Sequence, residues 1–416
     1  MARIAYVHQY FATPESGDGI RSYEFGRRLA DAGHEVHMIA SDTSSDAEQG
    51  KWRVEKIAGM TVHWLGVPYS NEMSFRRRIV AFFQFAVRAI SRTRKVNADL
   101  IFATSTPLTV AVPAVFGKWG RSTPMVFEVR DLWPEMPIAV GALKIPVAIS
   151  AARALERFAY RNADRVVALS PGMADGVVAT GYDPDRVSVI PNAADLDVFA
   201  VDDARVQAWL AEHPELQGRQ LITYAGTFGL INGVSYLVRV AEHLADLNPN
   251  AAVLLIGSGA EAQKVKELAE ELGLLGMNVF IENEIPKRDI PAVFSAATIS
   301  TSVFLPIKQM EVNSANKFFD GLASGRPVAI NYGGWQRELL EASSAGVYLD
   351  SKDPKVAAET LNELLGDDAR LAQYGRNARA LAETRFSRDT LANELIDVLD
   401  AAMGKTRELA WQTRHE

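Results

Sequence analysis

The sequence alternates short apolar runs, rich in β-branched residues, with longer amphipathic stretches. In the first half the apolar runs are residues 3–8, 35–41, 61–67, 100–104, 125–129, 165–169 and 187–190. Between them, residues 20–32 and 149–162 have the apolar periodicity of helices. Strands that are apolar on both faces and are separated by helices are typical of parallel sheets covered by helices on both sides. The first half therefore predicts an α/β domain.

The same alternation begins again in the second half, with predicted strands at residues 221–225, 252–256, 279–281, 298–303 and 327–331. A chain of 416 residues also exceeds the roughly 250–300 residues at which a single hydrophobic core stops growing. We therefore predict an α/β fold of two Rossmann-like domains that face each other across a cleft, residues 1–200 and residues 201–385. Residues 386–416 are expected to form a helix that packs back toward the N-terminal domain and ends in a frayed tail.

The composition excludes several kinds of site. The chain contains no cysteine, which rules out a disulfide framework, thiolate catalysis and cysteine-based metal sites. The first residues lead directly into a predicted strand, without the basic and apolar regions of a signal peptide. The best candidate for a membrane span, residues 137–155, is interrupted by Lys144 and Pro146. We therefore expect a cytoplasmic protein without a transmembrane helix.

The net charge of −7 is divided unevenly between the two halves. Residues 1–200 carry 23 lysines and arginines against 21 aspartates and glutamates, whereas residues 201–416 carry 21 against 30. The second half, with its excess of negative charge, would repel nucleic acid and anionic membranes. We therefore expect no nucleic-acid partner, and we expect the first half to meet any anionic membrane surface.

Loops that follow strands are where chemistry is expected, because ligands of open α/β sheets bind beyond the carboxyl ends of the strands. The first such loop contains Gly17 and Gly19 before a predicted helix, which suits either a bound anion or a plain turn. A later loop that begins at Gly257 matches the dinucleotide fingerprint G-x-G-x-x-G/A. It follows only the second strand of its domain, which argues against a nicotinamide or flavin cofactor. Its backbone would then contact phosphate or sugar, or form a structural turn.

The strongest local pattern is the segment KQMEVNSANKFFDGLASGRPV at residues 308–328. A helix that begins near Ser314 would direct its unpaired N–H groups at a diphosphate. Lys317 would add a positive charge, and Asp320, one turn further on, could accept hydrogen bonds from ribose hydroxyls. The alternative is a capped helix whose lysine and aspartate are solvated, and spacing alone does not decide between the two.

Residues 314–328 resemble the donor-site helix of the family 4 glycosyltransferases, which have the GT-B fold of two Rossmann-like domains. The resemblance covers nearly the whole chain and includes the motifs GHEV at 33–36, ADRV at 163–166, VIPNAAD at 189–195, YAGT at 224–227 and IGSG at 256–259. The motif RDLWPE at 130–135, together with Asn316 and Lys317, indicates a subgroup that resembles transferases of bacterial surface-polysaccharide assembly, namely of O-antigen, capsule and exopolysaccharide.

The resemblance implies that the C-terminal domain binds the nucleotide-sugar and that the N-terminal domain binds the acceptor. The family's ribose-binding acid falls on Asp320, and its acid for the donor sugar falls beside Glu311. The Arg and Lys that hold the diphosphate fall in residues 227–233, which contain neither, so Lys317 becomes the main source of positive charge. The implied donor-binding residues are Gly17, Gly19, Thr227, Asn232, Gly257, Ile285, Glu311, Asn313, Ser314, Asn316, Lys317 and Asp320.

The resemblance also implies a retaining, metal-independent transfer without a cofactor. Charged groups would stabilise the departing nucleotide diphosphate beside an oxocarbenium-like sugar. The family's histidine after the fifth strand of the N-terminal domain is replaced here by Arg130 and Asp131. We therefore expect Asp131, Arg130 and Glu311 to be the catalytic residues, with Asp131 a positioning group rather than an assigned base.

A basic, apolar stretch lies between Glu72 and Asp99, where no acidic residue occurs. Its apolar residues at helical spacing are Ile79, Phe82, Phe83, Ala86, Val87 and Ile90. This stripe predicts a helix that covers the sheet, while the basic ends and Phe85 meet anionic lipid headgroups. The expected membrane contacts are Phe75, Arg76, Arg77 and Arg78. A lipid-linked or saccharide acceptor and a peripheral location at the inner face of the cell membrane would suit such a surface.

Three functions are consistent with these observations. The first is transfer of a hexose or N-acetylamino-sugar from a nucleotide-diphosphate donor, preferentially UDP-linked, in cell-surface polysaccharide synthesis. The second is epimerisation of a sugar nucleotide on the same fold. The third is sugar or lipid binding without catalysis on a transferase scaffold, which the missing Arg and Lys of residues 227–233 would explain. Turnover of donor with and without acceptor distinguishes the three.

Overall fold

The structure is a computed structural model that describes residues 1–15, 20–44, 46–69, 73–193, 196–200, 203–286 and 288–404. The chain forms two compact units. The N-terminal unit consists of Met1–Thr13, Gly19–Pro191 and Leu391–Glu416, and the C-terminal unit consists of Pro14–Asp18 and Asn192–Thr390. The chain therefore passes into the C-terminal unit after Pro191 and returns to the N-terminal unit at Leu391.

The N-terminal unit is built on an eight-stranded sheet. Its strands are β1 (Arg3–Val7), β2 (Glu35–Asp42), β3 (Trp52–Ile57), β4 (Met60–Gly66), β5 (Leu100–Thr104), β6 (Met125–Val129), β7 (Arg165–Ala168) and β8 (Val187–Val189). The strand order is β3-β4-β2-β1-β5-β6-β7-β8. All neighbours are parallel except β3 and β4, which are antiparallel. Strands β5 and β6 are buried along their whole length, as expected for a sheet covered on both faces.

Helices connect these strands: α1 (Arg21–Asp31), α2 (Phe75–Val96), α3 (Ala111–Gly117), α4 (Glu135–Ala139), α5 (Pro146–Asn162) and α6 (Pro171–Ala179). Short 3₁₀ segments lie at Leu108–Val110 and Pro184–Arg186. The core lies between the sheet and α2, α3 and α5, and its largest fully buried side chains include Phe85 and Phe127.

The C-terminal unit contains a six-stranded parallel sheet. Its strands are β9 (Gln220–Ala225), β10 (Ala251–Ile256), β11 (Val279–Glu282), β12 (Ile299–Ser302), β13 (Val328–Ile330) and β14 (Gly346–Tyr348). Their order is β11-β10-β9-β12-β13-β14, and every neighbouring pair is parallel. The order reverses beside β9, so the carboxyl ends of β9 and β12 flank the switch point at which ligands of such sheets bind.

The remaining helices are α7 (Asp203–Glu212), α8 (Ser235–Leu247), α9 (Ala262–Glu271), α10 (Ile290–Ala296), α11 (Asn316–Ala323), α12 (Trp335–Ser343), α13 (Pro354–Leu365), α14 (Asp368–Arg385) and α15 (Arg388–Ala402). Further 3₁₀ segments lie at Pro214–Leu216, Leu230–Asn232 and Lys308–Val312. Within the described residues, no helix is both long and apolar enough to span a membrane.

The prediction of two Rossmann-like α/β domains is confirmed, and every strand predicted from the sequence is present. Two strands were not predicted. Strand β3 lies at the edge of its sheet with its four central residues exposed, so it has no apolar run that a sequence pattern could detect. Strand β14 has only three residues, which is too short for a periodicity to emerge.

The face predicted for α2 is only partly right. The buried residues of this helix include Ala81, Phe85 and Ala89, which recur every fourth position and form the stripe that packs inward. Phe83 and Val87, which were predicted to cover the sheet, are instead 52% and 61% exposed. The expectation that Phe85 meets lipid is wrong, because this side chain is fully buried. The sequence pattern emphasised the large apolar residues. The buried alanines are instead the residues that allow α2 to approach the sheet closely.

Candidate active site

The loops after β9 and β10 lie against each other at the carboxyl edge of the C-terminal sheet. The Gly226 N–H donates to the Ile256 carbonyl at 2.9 Å, and the Phe228 N–H donates to the Ser258 carbonyl at 2.7 Å. A Cβ atom at Gly257, whose φ is +152°, would lie 1.9 Å from the Gly226 carbonyl oxygen. The first glycine of the fingerprint-like loop is therefore required by the packing of two loops, whether or not its backbone also contacts a ligand.

Lys317, in the first turn of α11, extends over this loop. A Cβ atom at Gly226 would lie 3.2 Å from the Lys317 Nζ. The Nζ lies 5.1 Å from the centre of the Tyr224 ring and 5.6 Å from the centre of the Phe304 ring, at the ends of β9 and β12. Burial lowers the pKa of the Lys317 amine from 10.5 to about 8, and the negative charge of Asp320 opposes this effect. A positive charge is thus held, partly desolvated, at the switch point of the sheet.

The N-terminus of α11 has no side-chain cap. Ala315 occupies the cap position and offers no oxygen to the first N–H groups of the helix. Just before it, the Ser314 hydroxyl oxygen accepts a hydrogen bond from the Asn192 N–H at 3.0 Å, and the Ser314 carbonyl accepts one from the Asn192 Nδ2 at 2.6 Å. The helix therefore begins with N–H groups that no side chain caps, and the residue before its cap is held from outside the helix.

Glu311 and Asn313 lie in the connection between β12 and α11. Glu311 is exposed within a 3₁₀ segment, and a Cβ atom at Gly334 would lie 2.2 Å from the Glu311 carbonyl oxygen. The half-buried Asn313 donates from its Nδ2 to the Met310 carbonyl. The Asn313 carbonyl in turn accepts a hydrogen bond from Trp335 Nε1 at 2.8 Å. The backbone of this connection is therefore packed against the start of α12.

The other predicted donor-site residues of the C-terminal unit lie on the loops after β9 and β11, in the 3₁₀ segment Leu230–Asn232 and in α11. Thr227 and Asn316 are exposed, Ile285 and Asp320 are half-buried, and Asn232 is buried beside Gly229. Gly17 and Gly19 lie outside the described residues. Lys317, Thr227 and Gly257 are thus brought together around the β9 loop, whereas their use by a ligand remains a prediction.

Arg130 and Asp131 follow β6 in the N-terminal unit. The Arg130 N–H donates to the Ser105 hydroxyl oxygen at 3.0 Å, and the Arg130 Nη1 lies 3.3 Å from the Nε2 of the buried His8. A guanidinium can only donate, so the His8 Nε2 accepts. Burial, reinforced by Arg130, holds the pKa of His8 well below its usual value, so the imidazole is neutral. Residues that directly follow β1, β5 and β6 are thus in contact at the carboxyl edge of the N-terminal sheet.

Asp131 is open to solvent, yet the surrounding protein desolvates its carboxylate enough to raise the pKa to about 6. Arg130 and a hydrogen bond from Thr106 act in the opposite direction. A carboxylate with such a pKa is ionised at neutral pH and can accept hydrogen bonds from, or orient, a neighbouring hydroxyl.

A buried ion pair supports the same sheet edge. The Arg21 Nη2 donates to the Glu128 Oε1 at 2.9 Å, and these side chains are 3% and 0% exposed. The Glu128 Oε2 accepts a further hydrogen bond from the Thr104 hydroxyl at 2.5 Å, and the Arg21 Nη1 donates to the Pro191 carbonyl at 2.6 Å. Arg21 therefore points into the protein at the start of α1. Its bonds connect β5, β6 and the residues that follow β8.

The sequence did not reveal several residues that shape these sites. Tyr224 and Phe304 enclose Lys317, Asn192 binds Ser314, and His8 contacts Arg130. Tyr224 and Asn192 lie in the YAGT and VIPNAAD motifs that carry the family resemblance, although the sequence alone indicated no role for them. The only signal for His8 and Phe304 was that they end or follow predicted strands. Within the described part of the chain, no three histidine, aspartate or glutamate side chains form a group that could hold a metal ion.

Comparison with known proteins agrees with this architecture. A model described as a glycosyl transferase 4-like domain matches residues 16–193, and one described as glycosyl transferases group 1 matches residues 206–381. The chain is 30% identical over 250 residues to the D-inositol 3-phosphate glycosyltransferase of Xylanimonas cellulosilytica, a match that covers 56% of each protein. It is 26% identical over 260 residues to the alpha-maltose-1-phosphate synthase of Mycolicibacterium smegmatis, which covers 59% of this chain and 65% of that protein.

The chain thus spans less than two thirds of the length of these two relatives. Among solved structures, HepE from Anabaena in complex with UDP and glucose has a TM-score of 0.73 at 16% identity, over 96% of this chain and 100% of the other. At that identity the similarity shows a shared fold. The two family models together match most of both units, and the chain therefore belongs to the family 4 glycosyltransferases of the GT-B fold.

Proposed function

We propose that this protein transfers a hexose or N-acetylamino-sugar from a nucleotide-diphosphate donor, with UDP preferred, to a lipid-linked or saccharide acceptor. Residues 201–385 would bind the donor and residues 1–200 the acceptor. The observation that carries the proposal is the position of Lys317, whose amine lies over the β9 loop at the start of an uncapped helix. A cation and a helix N-terminus at one place favour a diphosphate.

In this proposal the diphosphate of the donor lies between the N-terminus of α11 and the Lys317 amine. Asp320, one helical turn further on, accepts hydrogen bonds from the ribose hydroxyls, and the backbone near Ile285 frames the base. Glu311 contacts the donor sugar. Negative charge grows on the diphosphate as it departs. The helix N-terminus and Lys317 would stabilise this charge and so lower the barrier to transfer.

The transfer step is proposed to be retaining and metal-independent. The bond between the anomeric carbon and the diphosphate oxygen breaks, and the acceptor oxygen forms a bond to the anomeric carbon on the same face. The proton of the acceptor hydroxyl passes to the departing phosphate oxygen, so that no covalent enzyme intermediate is needed. Asp131 orients the reacting groups and Arg130 adds positive charge, rather than either acting as a nucleophile.

Donor turnover tests this proposal. We expect UDP to raise the melting temperature, and UDP-sugar to be consumed quickly only when an acceptor is present. Product formed from donor alone would support the epimerase, and nucleotide binding without turnover would support the binding protein. Absence of stabilisation by any nucleotide would contradict all donor-site assignments. Lys355→Met, at an exposed lysine of α13, is a matched control for the loss of donor turnover expected in Lys317→Met.

The acceptor is proposed to be lipid-linked, in cell-surface polysaccharide synthesis at the inner face of the cell membrane. The support is the outer face of α2, where Val80, Phe83 and Val87 are all more than half exposed. Arg76 and Arg77 are exposed at the start of the same helix. An apolar stripe flanked by arginines is what an anionic lipid surface binds.

The basic residues of α2 fall into two groups. Arg88 donates to the Gly50 carbonyl, Arg94 donates to the Trp119 carbonyl, and Arg92 lies over the Trp52 ring. These three hold the helix against the protein. Of the four expected membrane contacts, Phe75 begins the helix, Arg78 is half-buried, and Arg76 and Arg77 are the exposed pair.

Sedimentation with vesicles of anionic and neutral phospholipid tests the membrane surface. We expect Arg76→Ser with Arg77→Ser, and separately Phe83→Ser, to weaken binding to the anionic vesicles. The pair Lys352→Ser and Lys355→Ser removes two exposed charges elsewhere and is the control. Unchanged sedimentation of both α2 variants would contradict the membrane proposal.

The names of the relatives suggest a second acceptor class, a phosphorylated small molecule. Transfer to such an acceptor would take place in solution, without vesicles.

A further inference from the structure

The segment by which the chain enters the C-terminal unit is bonded directly to the beginning of α11. Asn192, the first residue of that segment, is only 8% exposed. Its backbone N–H donates to the Ser314 hydroxyl oxygen at 3.0 Å, and its Nδ2 donates to the Ser314 carbonyl at 2.6 Å. Two hydrogen bonds between the same two residues, which are 122 positions apart in sequence, fix both the distance and the orientation of the partners.

The segment by which the chain leaves the C-terminal unit reaches the same place. The buried Arg388 donates from its Nη2 to the Ala193 carbonyl, next to Asn192. Two residues earlier, the Phe386 ring packs on α11 itself, with its centre 5.1 Å from that of Phe319. Residues 386–388, where the chain leaves the unit, therefore contact both Ala193 and α11.

The far end of α11 is held as well. The Arg379 Nη1 donates to the carbonyl of Ala323, the last residue of the helix, at 2.8 Å. The same nitrogen lies 3.5 Å from the Leu196 carbonyl, at the limit of a hydrogen bond. The start of α11 is thus bonded directly to Asn192, and its end is linked to Leu196 through Arg379.

We propose that Asn192 is a positioning residue for the donor site, which holds the N-terminus of α11 where a nucleotide diphosphate binds. This proposal rests on the proposed function, in which the diphosphate lies at the start of α11. Helix N–H groups stabilise an anion only when they point at it, and displacements of about 1 Å cost large factors in catalysis.

A purely structural role makes a different prediction from a positioning role. Asn278 offers the comparison, because it is also buried and its Nδ2 donates to a backbone carbonyl, that of Ala241, at 2.9 Å. Asn278 directly precedes β11, and its side chain bonds to α8, away from α11 in the sequence. If Asn192 only stabilises the fold, Asn192→Ala and Asn278→Ala should lower the melting temperature similarly and leave UDP affinity unchanged in both.

The experiment measures UDP binding by titration calorimetry and amide hydrogen exchange of α11 without nucleotide in the full chain. We expect Asn192→Ala to weaken UDP binding about tenfold, which corresponds to about 1.4 kcal/mol, and to speed exchange of the hydrogen-bonded amides of α11. Asn278→Ala should change neither. Each variant removes one of the two hydrogen bonds, since Asn192→Ala loses the bond from Nδ2 and Ser314→Ala loses the bond to the hydroxyl. Ser314→Ala removes less volume, should act in the same direction with a smaller effect, and replaces Asn192→Ala if that variant does not fold.

The two readouts separate the failure of the positioning role from the failure of the proposed function. UDP binding and α11 exchange in the Asn192 and Ser314 variants that match those of Asn278→Ala would overturn the positioning role. If the wild-type protein does not bind UDP, the donor assignment fails, and exchange in α11 still decides whether Asn192 holds the helix. A change in exchange that is confined to α11 supports the positioning role when the wild-type protein binds UDP, and otherwise shows only that Asn192 holds the helix.

Discussion

Replacing Lys317 by methionine should weaken donor binding and stabilise the unliganded protein at the same time. Methionine keeps the length of the side chain and its contacts with Tyr224 and Phe304 while it removes the charge. The opposite signs follow from the structure, because the amine is placed where a diphosphate would meet it and is desolvated when the diphosphate is absent.

The size of the stability effect follows from the pKa. A Lys317 pKa of about 8 instead of 10.5 corresponds to a cost of at most about 3 kcal/mol for holding the charge, at 1.36 kcal/mol per pKa unit. Loss of the attraction between the ammonium charge and the two rings offsets about 0.5–1 kcal/mol of this, and solvent access to the half-buried amine reduces it further. A net gain of about 1–2 kcal/mol is expected, or roughly 2–8 °C in the melting temperature of a domain of this size.

The sign of the pH dependence follows from the same shift. Because the pKa is lowered on folding, the unfolded chain binds more protons between about pH 8 and 10.5. The cost is therefore fully present below pH 8 and disappears as the pH rises through that window. The melting-temperature difference between Lys317→Met and wild type should thus be largest at pH 7 and close to zero near pH 10.5.

The assays are thermal unfolding across this pH range and calorimetric titration with UDP at pH 7. Loss of a charge-assisted hydrogen bond costs about 1.5–3 kcal/mol, so the Kd for UDP should rise roughly 10- to 150-fold. Lys355→Met should change neither quantity. A Lys317→Met protein that melts lower than wild type, or that binds UDP equally well, would refute the reasoning.

Three further predictions follow from the packing and the pKa values. Gly257→Ala should lower stability and UDP affinity far more than Gly276→Ala, since both have positive φ but only the former would place a Cβ atom 1.9 Å from a backbone oxygen; equal melting temperatures would contradict this. Glu128→Gln should cost about 3–5 kcal/mol in unfolding measurements, because it leaves the Arg21 charge buried without its partner. Since the pKa of Asp131 is raised on folding to about 6, this group makes stability fall as pH rises from about 4 to 6. Asp131→Asn should remove that slope. Because protonation removes the charge that orients the reacting groups, the wild-type transfer rate should also fall below about pH 6, and Asp131→Asn should be slow at every pH without this dependence.

Much of the fold could be predicted because it depends on local periodicity. Buried parallel strands are apolar along their whole length, as in β10, and this property is visible in any window of the sequence. Prediction from periodicity failed in two places. Strand β3 is exposed and has no apolar run, and the buried face of α2 consists largely of alanines. The start of the donor helix was predicted near Ser314 and lies at Asn316, a difference within the usual uncertainty of helix ends.

By itself the sequence determined the two α/β domains, the order of their strands along the chain, and the placement of a lysine and an aspartate one turn apart at the start of α11. Only the tertiary structure decided what surrounds them. Tyr224 of β9 and Phe304, which follows β12, both lie against the Lys317 amine, and Asn192 reaches Ser314 across 122 residues of sequence. Periodicity reports which face of an element is apolar, whereas the neighbours that shift a pKa or hold a helix end are brought together only when the sheet forms.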